Sequence, residues 1–171
     1  MEKLLILDKH DYSPDMEEIH RVAVRGIIFI DGKLLLVESC FKELKLPGGG
    51  IEPGESDAQA LIREVEEETG YHVIPESIVP FGEIEEKRLS TKEPMIWHQF
   101  NRLYFCDVYP ERGECNYTKS EIKYGFRCVL HPLDEAIRIN EEFARAEILR
   151  EYTTLTLIKE HLEKKELQKN A

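Results

Sequence analysis

The order of strand and helix patterns along the chain predicts an α/β fold. Residues 21–30 and 33–38 are rich in aliphatic side chains, and Asp31-Gly32 between them is typical of a tight hairpin turn. A helical pattern follows between residues 56 and 70, and another strand-rich stretch covers residues 96–108. With 171 residues, the chain is long enough for one domain with a sizeable core and a helical appendage.

The helical segment carries a start signal, a stop signal and one apolar stripe. Ser56 with Gln59 three residues later forms a capping-box pattern, so the helix is expected to begin there. Gly70 stands where a left-handed glycine would end it. Spacings of three and four residues predict a core-facing stripe of Ala58, Leu61, Ile62 and Val65.

Three glutamates of this helix, Glu64, Glu67 and Glu68, share a second face by the same spacing and are called the acidic trio below. Glu68 falls next to Leu61, at the edge of the expected buried surface. Like charges repel one another, and the end of a helix carries a partial negative charge, so stability alone disfavours this arrangement. A hard divalent cation that prefers oxygen ligands, Mg²⁺ or Mn²⁺, removes the conflict. The alternative is a solvated acidic face.

A glycine-rich loop precedes the helix. Residues 47–50 read Pro-Gly-Gly-Gly, which lets bare backbone approach a metal or a phosphate because no Cβ stands in the way. Residues 52–55 fit a type II turn, with proline and glycine at its two central positions. The loop and the acidic helix together indicate a specific site rather than an ordinary turn.

The spacing over residues 49–71 resembles the signature box of the Nudix hydrolases, a MutT-like family. Seven positions carry the resemblance: Gly49, Glu55, Arg63, Glu64, Glu67, Glu68 and Gly70. The last box position, usually aliphatic, is Tyr71, a departure that leaves the expected metal ligands intact. The resemblance covers residues 20–140 and implies an α/β/α sandwich with a mixed sheet.

The resemblance also implies a reaction and a set of roles. Nudix proteins hydrolyse a nucleoside diphosphate linked to another moiety, with divalent metals as electrophiles. By box position, the acidic trio binds metal directly or through water, and a backbone carbonyl of Gly48 or Gly49 is a further ligand. Arg63 orients the carboxylates, and Glu55 supports the loop. Positioning and charge neutralisation supply most of the catalysis in such reactions.

The general base and the substrate stay open at this point. Family members use either a helix glutamate or one from a distal loop, and Glu121 lies in about the right region. Trp97 is a candidate for stacking on a nucleobase, although a strand tryptophan is more often buried. Glu85 and Glu86 stand where many ADP-ribose hydrolases carry a proline. Expected substrates are a nucleoside triphosphate, an oxidised nucleotide or a nucleotide sugar, and the alternative is a catalytically silent nucleotide sensor.

Composition narrows the partners and the compartment. A net charge of −11 argues against DNA or RNA polymers, but not against free nucleotides, which arrive chelated to Mg²⁺. We expect no membrane segment and no secretion signal. The four cysteines lack paired spacing, so zinc binding is not expected, and a reduced, cytoplasmic protein is the simplest account. The six histidines are scattered without metal-binding spacing and are taken as structural.

The remaining elements follow from local patterns. Strands are expected at residues 4–7, 72–74, 78–85 and 126–130, with breaks at Pro75 and Pro80. Residues 109–123 read as a loop, and a helix should begin at residue 133, after Pro132. We expect a Nudix domain over residues 1–140 and a helical extension over residues 141–171.

The C-terminal extension is expected to form one long helix. Asn140 reads as its N-cap, and the helix is expected to reach about residue 167. Its apolar stripe would consist of Ile148, Tyr152, Leu155 and Leu162. A helix of this kind must bury its stripe, either on its own domain or at a homodimer interface.

Overall fold

The computed structural model describes residues 1–142 and 149–169, and the chain folds as two compact units. In chain order the strands are β1 (Lys3–Asp8), β2 (Glu18–Ile27), β3 (Phe29–Ile30), β4 (Lys33–Glu38), β5 (Leu44–Lys45), β6 (Tyr71–Val73), β7 (Val79–Leu89), β8 (Ile96–Phe105), β9 (Val108–Arg112) and β10 (Arg127–His131). The helices are α1 (Asp57–Thr69), α2 (Lys119–Lys123), α3 (Leu133–Glu142) and α4 (Leu149–Lys169), with a 3-10 turn at Pro75–Ser77.

The first unit comprises residues 1–28 and 47–116 and contains a mixed sheet. Its strand order is β1-β7-β8-β2, with β1 parallel to β7, β7 antiparallel to β8, and β8 parallel to β2. The α/β class and the mixed sheet are therefore confirmed, as is a short edge strand near the N-terminus. The break expected at Pro80 is wrong, because the strand continues through an irregularity in register between Pro80 and Gly82 that accommodates the missing N–H.

Helix α1 begins and ends as predicted. The Ser56 hydroxyl accepts the Gln59 N–H, and the Gln59 side chain accepts the Ser56 N–H at 2.9 Å, which completes the capping box. Gly70 adopts φ 74° and donates its N–H to the Glu66 carbonyl at 2.8 Å. A residue with a Cβ would be strained in this left-handed conformation.

The buried face of α1 is rotated from the predicted stripe. Leu61 and Val65 are fully buried as expected, whereas Ala58 is exposed and Ile62 is half-buried. The buried side chains are Ala60, Leu61, Val65, Glu68 and Thr69. The reason is the partner surface: Leu61 and Val65 lie against β2 at Gly26, where a Cβ would come within 3.5 Å of both side chains. The rotation places Glu68 inside the contact rather than at its edge.

The second unit comprises residues 29–46 together with the described part of 117–171. Strands β10, β4 and β3 form an antiparallel sheet, and β5 also pairs with β4. Asp31 and Gly32 connect β3 to β4 with φ of 49° and 75°, which confirms the predicted hairpin turn. The strand predicted at residues 33–38 is confirmed in full as β4.

Two expectations about this part of the chain are wrong. Residues 109–123 are not simply a loop, because β9 pairs with β6 in the first unit and α2 forms in the second. Thr118 and Glu121 make a complete capping box for α2, a spacing that marks a helix start. Asn140 is not an N-cap either. It lies inside α3, fully buried, and exchanges two hydrogen bonds with the backbone of Leu44, at 2.9 and 3.0 Å.

Helix α4 buries Leu155 and Ile158 and packs against α3 in the second unit. Ile158 was missed in the predicted stripe, Tyr152 and Leu162 are half-buried, and Ile148 lies outside the described residues. Thr154 is also buried, and its hydroxyl is satisfied by donating to the Arg150 carbonyl at 2.7 Å.

The hydrophobicity of the helices and the state of the cysteines can also be compared with expectation. No helix within residues 1–142 and 149–169 is long and apolar enough to cross a membrane. All four cysteines are free thiols. Cys106 is a buried core residue, and burial raises the pKa of its thiol to about 12, whereas Cys128 is half-buried.

Candidate active site

Arg63 connects the glycine-rich loop to two carboxylates. Its Nε and Nη2 bind both oxygens of Glu55 at 2.7 and 2.8 Å. Nη1 donates to Glu64 at 2.8 Å and lies 3.6 Å from Glu67. Nη2 also donates to the Gly50 carbonyl at 3.1 Å. A planar guanidinium suits this fork geometry, so one side chain holds loop and helix in register.

These contacts shift the ionisation of both partners. The Arg63 hydrogen bonds and the Glu52 N–H, which lies 2.9 Å from Glu55, lower the pKa of the Glu55 carboxyl to about 2. Glu55 and, after it, Glu64 raise the pKa of Arg63 above its ordinary value. Both groups are therefore charged throughout the physiological pH range.

Glu68 is held by the loop from the opposite side. It is 7% exposed, and its Oε2 accepts the Gly48 N–H at 2.7 Å. Gly48 adopts φ 138°, and a Cβ there would overlap the Val24 carbonyl, so only glycine fits. A buried carboxylate bonded to a backbone N–H is fixed in position, which a ligand or a catalytic group requires.

Gly49 brings bare backbone against the helix. A Cβ at this position would overlap the carboxylate of Glu64. Its carbonyl accepts the Val24 N–H at 2.9 Å, and the Gly48 carbonyl accepts a hydrogen bond from Arg25. Each carbonyl keeps a second lone pair, so the expectation that one of them binds a metal stays a prediction.

Two further backbone hydrogen bonds attach the loop to β2. The Gly26 N–H donates to Pro47 at 2.8 Å, and the Ile51 N–H donates to Val22 at 3.2 Å. Together with the Gly49 bond, they form a short antiparallel contact centred on an isolated β-bridge between Ala23 and Gly50. The loop is thereby placed between β2 and α1, which explains how a local sequence motif acquires a defined geometry.

The acidic trio occupies three different environments on one side of α1. Glu64 faces Arg63 and Gly49, Glu68 faces Gly48, and Glu67 lines a cavity. Glu66 has half of its side chain exposed, with one carboxylate oxygen 3.3 Å from His72, and it lines the same cavity as Glu67. A functional difference between Glu66 and the trio is therefore a prediction that rests on helical spacing.

The cavity on this side of α1 has a volume of about 480 Å³. Its lining consists of Gln59, Ile62, Arg63, Glu66, Glu67, Glu114 and Asn116. The Asn116 N–H donates to the Glu67 carbonyl at 2.7 Å and so fastens the following loop to the helix. Glu114 and Asn116 were missed in the sequence, because nothing in their spacing distinguishes them from other polar loop residues.

The whole arrangement matches a known family. A family model described as a NUDIX domain matches residues 19–166. The chain belongs to the Nudix hydrolase family. Helix α1 is accordingly called the Nudix helix from here on.

Three similar proteins illustrate the relationship. YtkD of Bacillus subtilis (strain 168) is 31% identical over 115 residues, which cover 66% of this chain and 64% of YtkD. The ADP-ribose pyrophosphatase of Methanocaldococcus jannaschii is 41% identical over 73 residues, covering 38% of this chain and 41% of that protein. A solved Nudix hydrolase from Nitrosomonas europaea is 26% identical with a TM-score of 0.54, covering 80% of this chain and 90% of that one. The chain spans less than two thirds of the length of the curated relatives it matches.

The sheet beside the Nudix loop carries polar groups that sequence reasoning overlooked. Arg21 on β2 donates to Gln99 on β8 at 2.9 Å, and Gln99 donates to Asn101 at 2.6 Å. Within the described residues, the buried Nδ2 of Asn101 has no hydrogen-bond partner. A Cβ on Gly50 would lie 3.0 Å from the Arg21 guanidinium, so this row ends at the Nudix loop. Pairing of β2 with β8 brings these residues together, and no sequence motif marks them.

Trp97 lies on the same face of the sheet. It is half-buried rather than enclosed in the core, with the guanidiniums of Arg21 and Arg88 each 5.8 Å from its ring. Trp97 does lie in a strand, but the expectation that it is buried is wrong, because it is only half-buried. Two cations over one ring are a favourable cation–π arrangement, which accounts for the polar surroundings.

Glu121, the candidate base from a distal loop, belongs to the second unit. It lies in the first turn of α2, where its carboxylate accepts the Thr118 N–H at 2.7 Å. This contact is a helix cap, and a catalytic role for Glu121 stays a prediction.

Proposed function

We propose that this Nudix protein is a Mg²⁺- or Mn²⁺-dependent hydrolase that cleaves a pyrophosphate linkage in a nucleoside diphosphate derivative. The observation that carries the proposal is the Arg63 connection, which holds Glu55 and Glu64 against the glycine-rich loop. Glu67 and Glu68 lie one turn further along the same helix. No box carboxylate is missing, and a purely structural helix would not require this set.

The side chains present fit a hard divalent cation. The acidic trio offers carboxylate oxygens alone, and Gly49 leaves room for close approach of backbone to Glu64. We assign Glu64, Glu67 and Glu68 as ligands, with a Gly48 or Gly49 carbonyl as a further donor. When bound, the metal would neutralise charge on the pyrophosphate and polarise its phosphorus–oxygen bonds.

The residues of the chain supply the positioning. Arg63 keeps the Glu64 carboxylate in place, and the Gly48 N–H keeps Glu68 in place. Water attacks one phosphorus, the bridging phosphorus–oxygen bond breaks, and a carboxylate accepts the proton of the water. That base is either a glutamate of the Nudix helix or Glu121. Preorganised charges of this kind contribute without reorganisation during the reaction.

The substrate class rests on charge and on the relatives. The net charge of −11 favours a small nucleotide that arrives with Mg²⁺ over a nucleic-acid polymer. The Methanocaldococcus relative is an ADP-ribose pyrophosphatase, and for YtkD an 8-oxo-dGTP diphosphatase activity has been suggested. Nucleoside triphosphates, oxidised nucleotides and nucleotide sugars are therefore the first compounds to test, together with ADP-ribose. The polar row and Trp97 beside the loop are a suitable surface for the base or sugar.

A panel of these nucleotides tests the proposal. Product phosphate is measured with and without millimolar Mg²⁺, after coupling to a phosphatase that acts only on the products. We expect Mg²⁺-dependent release from at least one compound, abolished in Glu67→Gln and retained in Glu66→Gln. Binding of a nucleotide without turnover under every condition would support the silent sensor instead.

A further inference from the structure

A group of metal-ligand side chains lies away from the Nudix helix, on the sheet of the first unit. Glu18 and His20 are two residues apart on β2, and His98 pairs with His20 in the parallel register of β2 and β8. Glu18, His20 and His98, called the histidine cluster below, therefore project from the same face. One donor atom from each residue lies within 4.8 Å of the others.

The donor atoms converge on one oxygen. Oε1 of Glu18 lies 3.4 Å from Nε2 of His20 and in direct contact with Nδ1 of His98. The other oxygen of Glu18 binds the Lys87 ammonium at 2.9 Å. Glu18 thus presents one oxygen toward both imidazoles and is held there by a cation on its far side.

His98 is oriented from behind. Its Nε2 lies 2.7 Å from Glu85, which in turn binds Lys3. If His98 binds an ion through Nδ1, its proton stays on Nε2, where the Glu85 carboxylate accepts it and holds the ring in place. This carboxylate–histidine pair is the usual support behind a metal-binding imidazole.

The contact between Glu18 and His98 needs a positive centre. With the proton on Nε2, the Nδ1 lone pair and the Glu18 oxygen are both acceptors and cannot bond to each other directly. Either a second proton lies between them, making His98 an imidazolium, or a cation does. In the second case the nearby Nε2 of His20, which lies 3.4 Å from the same Glu18 oxygen, completes a three-donor set.

We propose that the histidine cluster binds a divalent transition metal. Two imidazoles and one carboxylate suit Zn²⁺, Ni²⁺ or Cu²⁺, which prefer nitrogen donors, rather than Mg²⁺ or Ca²⁺. His98 is buried, whereas the His20 side chain is 62% exposed, so the site opens to solvent on one side. Three protein ligands leave a coordination position for water. Binding requires only that Glu18 and His98 separate enough to admit the ion.

The site differs in chemistry from the one assigned to the Nudix helix. The acidic trio offers oxygen donors alone, whereas the histidine cluster offers two nitrogens and one oxygen. Saturating Mg²⁺ should therefore occupy the first site and leave the second available. The proposal is independent of catalysis, and failure of one site would not imply failure of the other.

Titration calorimetry with Ni²⁺, in the presence of millimolar Mg²⁺, tests the proposal. We expect one Ni²⁺ per chain in the wild type and at least a tenfold weaker affinity in His20→Ala, since loss of a supporting residue alone costs about 10–100-fold. His20 is exposed, so this variant should fold, which its melting temperature without metal checks. His72→Ala is the matched control, because His72 is also exposed and lies 3.3 Å from a carboxylate. It should bind Ni²⁺ like the wild type.

A second readout comes from the single tryptophan of the chain, Trp97, which precedes His98. Bound paramagnetic Ni²⁺ should quench its fluorescence in the wild type and in His72→Ala, but not in His20→Ala at the same concentration. Equal Ni²⁺ affinity in the wild type and His20→Ala would overturn the proposal. It would mean that any binding occurs elsewhere, for example at the exposed thiol of Cys40, and that His98 is an ion-paired structural histidine.

Discussion

The Nudix helix α1 and the C-terminal helix α4 each bury a glutamate, and they treat it differently. Glu68 of α1 is 7% exposed and accepts a backbone N–H from the glycine-rich loop. Glu151 of α4 is 5% exposed and binds the guanidinium of Arg150 in its own helix, at 2.9 Å from Nε. Glu151 is thus paired with the cation of a neighbouring residue, whereas Glu68 is oriented by the backbone of a loop 20 residues earlier in the chain.

The C-terminal ends of the two helices carry different charges. Helix α1 has three consecutive glutamates, residues 66–68, near its C-terminus and no basic residue in its last turn, whereas α4 ends with Lys169. A basic residue at this end stabilises a helix through the macrodipole, and an acidic one destabilises it. The charges at the ends of α4 favour the stability of that helix, whereas those at the end of α1 oppose it, as expected if α1 binds a metal.

The largest effect is expected from Glu67→Gln. If the charges of α1 serve catalysis, loss of one carboxylate should lower kcat by about 10²–10³-fold, the usual result of removing one electrostatic group from an active site. The fold should persist, because Glu67 is only half-buried. Steady-state kinetics on the substrate found in the nucleotide panel measures the loss.

Glu66→Gln is the matched control for Glu67→Gln, because Glu66 is the neighbouring residue, lines the same cavity and is not one of the signature-box positions. Its turnover should equal that of the wild type. Equal losses of kcat in Glu66→Gln and Glu67→Gln would contradict a specific role for Glu67. The loss would then depend on the total negative charge of the helix and not on the position of the carboxylate.

Ile158→Ala addresses α4, whose role we take as structural. Ile158 is fully buried, so truncation should lower the free energy of unfolding by about 2–5 kcal/mol and leave the kcat of the folded enzyme unchanged. Denaturant titration measures the first quantity. Leu167→Ala, at a residue 72% exposed, is the control and should be nearly neutral. A large loss of kcat with unchanged stability would give α4 a functional role.

The oligomeric state shows whether α4 also forms a homodimer interface. Packing of α4 against α3 accounts for its buried stripe, but a homodimer through other surfaces of the helix stays a prediction. Light scattering of the intact chain and of a chain ending at residue 140 separates the two. A monomeric mass for the intact chain rejects the dimer, and a dimeric mass that survives the deletion rejects α4 as its cause. The boundary expected between residues 140 and 141 falls within α3, so the deletion also removes the last two residues of that helix.

Mg²⁺ should stabilise the protein through α1. If the acidic trio binds the ion only in the folded state, the gain is about 2.7 kcal/mol when the free ion exceeds its dissociation constant 100-fold. Thermal unfolding in EDTA and in millimolar Mg²⁺ measures the shift in Tm. The double variant Glu67→Gln/Glu68→Gln should lose most of it. Identical wild-type curves in both buffers would remove the basis for a metal at this site.

The smallest expected effect is a pH dependence at Glu55. Its pKa is lowered to about 2 in the folded protein, chiefly by Arg63, so the folded state binds its proton less readily than the unfolded state. The stabilisation is therefore present above the ordinary pKa of 4.5 and is lost as the pH falls toward about 2. The Tm difference between wild type and Glu55→Gln should shrink over that window. A difference that is constant with pH would mean that Arg63 does not act through the charge of Glu55.

Much of the site could be predicted from sequence because its determinants are local. The capping box of Ser56 and Gln59 and the left-handed Gly70 define α1 within one segment. Helical spacing alone groups the three glutamates of the acidic trio, and the turn at residues 31–32 defines a hairpin by its own backbone preferences. The metal-binding roles and the activity itself stay predictions, because they depend on an ion and a substrate.

Tertiary contacts decided the rest. The buried face of α1 follows from its contact with β2 at Gly26, which a helical wheel does not contain, so Ala58 and Ile62 were misplaced. Asn140 has the side chain of a helix cap, yet it exchanges both hydrogen bonds with the backbone N–H and carbonyl of Leu44 in β5. A capping residue binds whichever backbone groups lie nearest, and these can be 96 residues away.

The histidine cluster shows the same division most clearly. By sequence, His20 and His98 are isolated residues without ligand spacing. The parallel register of β2 and β8 places them side by side, with Glu18 on the same face. A motif on one helix can be recognised in the sequence, because helical geometry fixes the distances between its side chains. A site assembled from two strands 78 residues apart becomes visible only when strand pairing has fixed those distances.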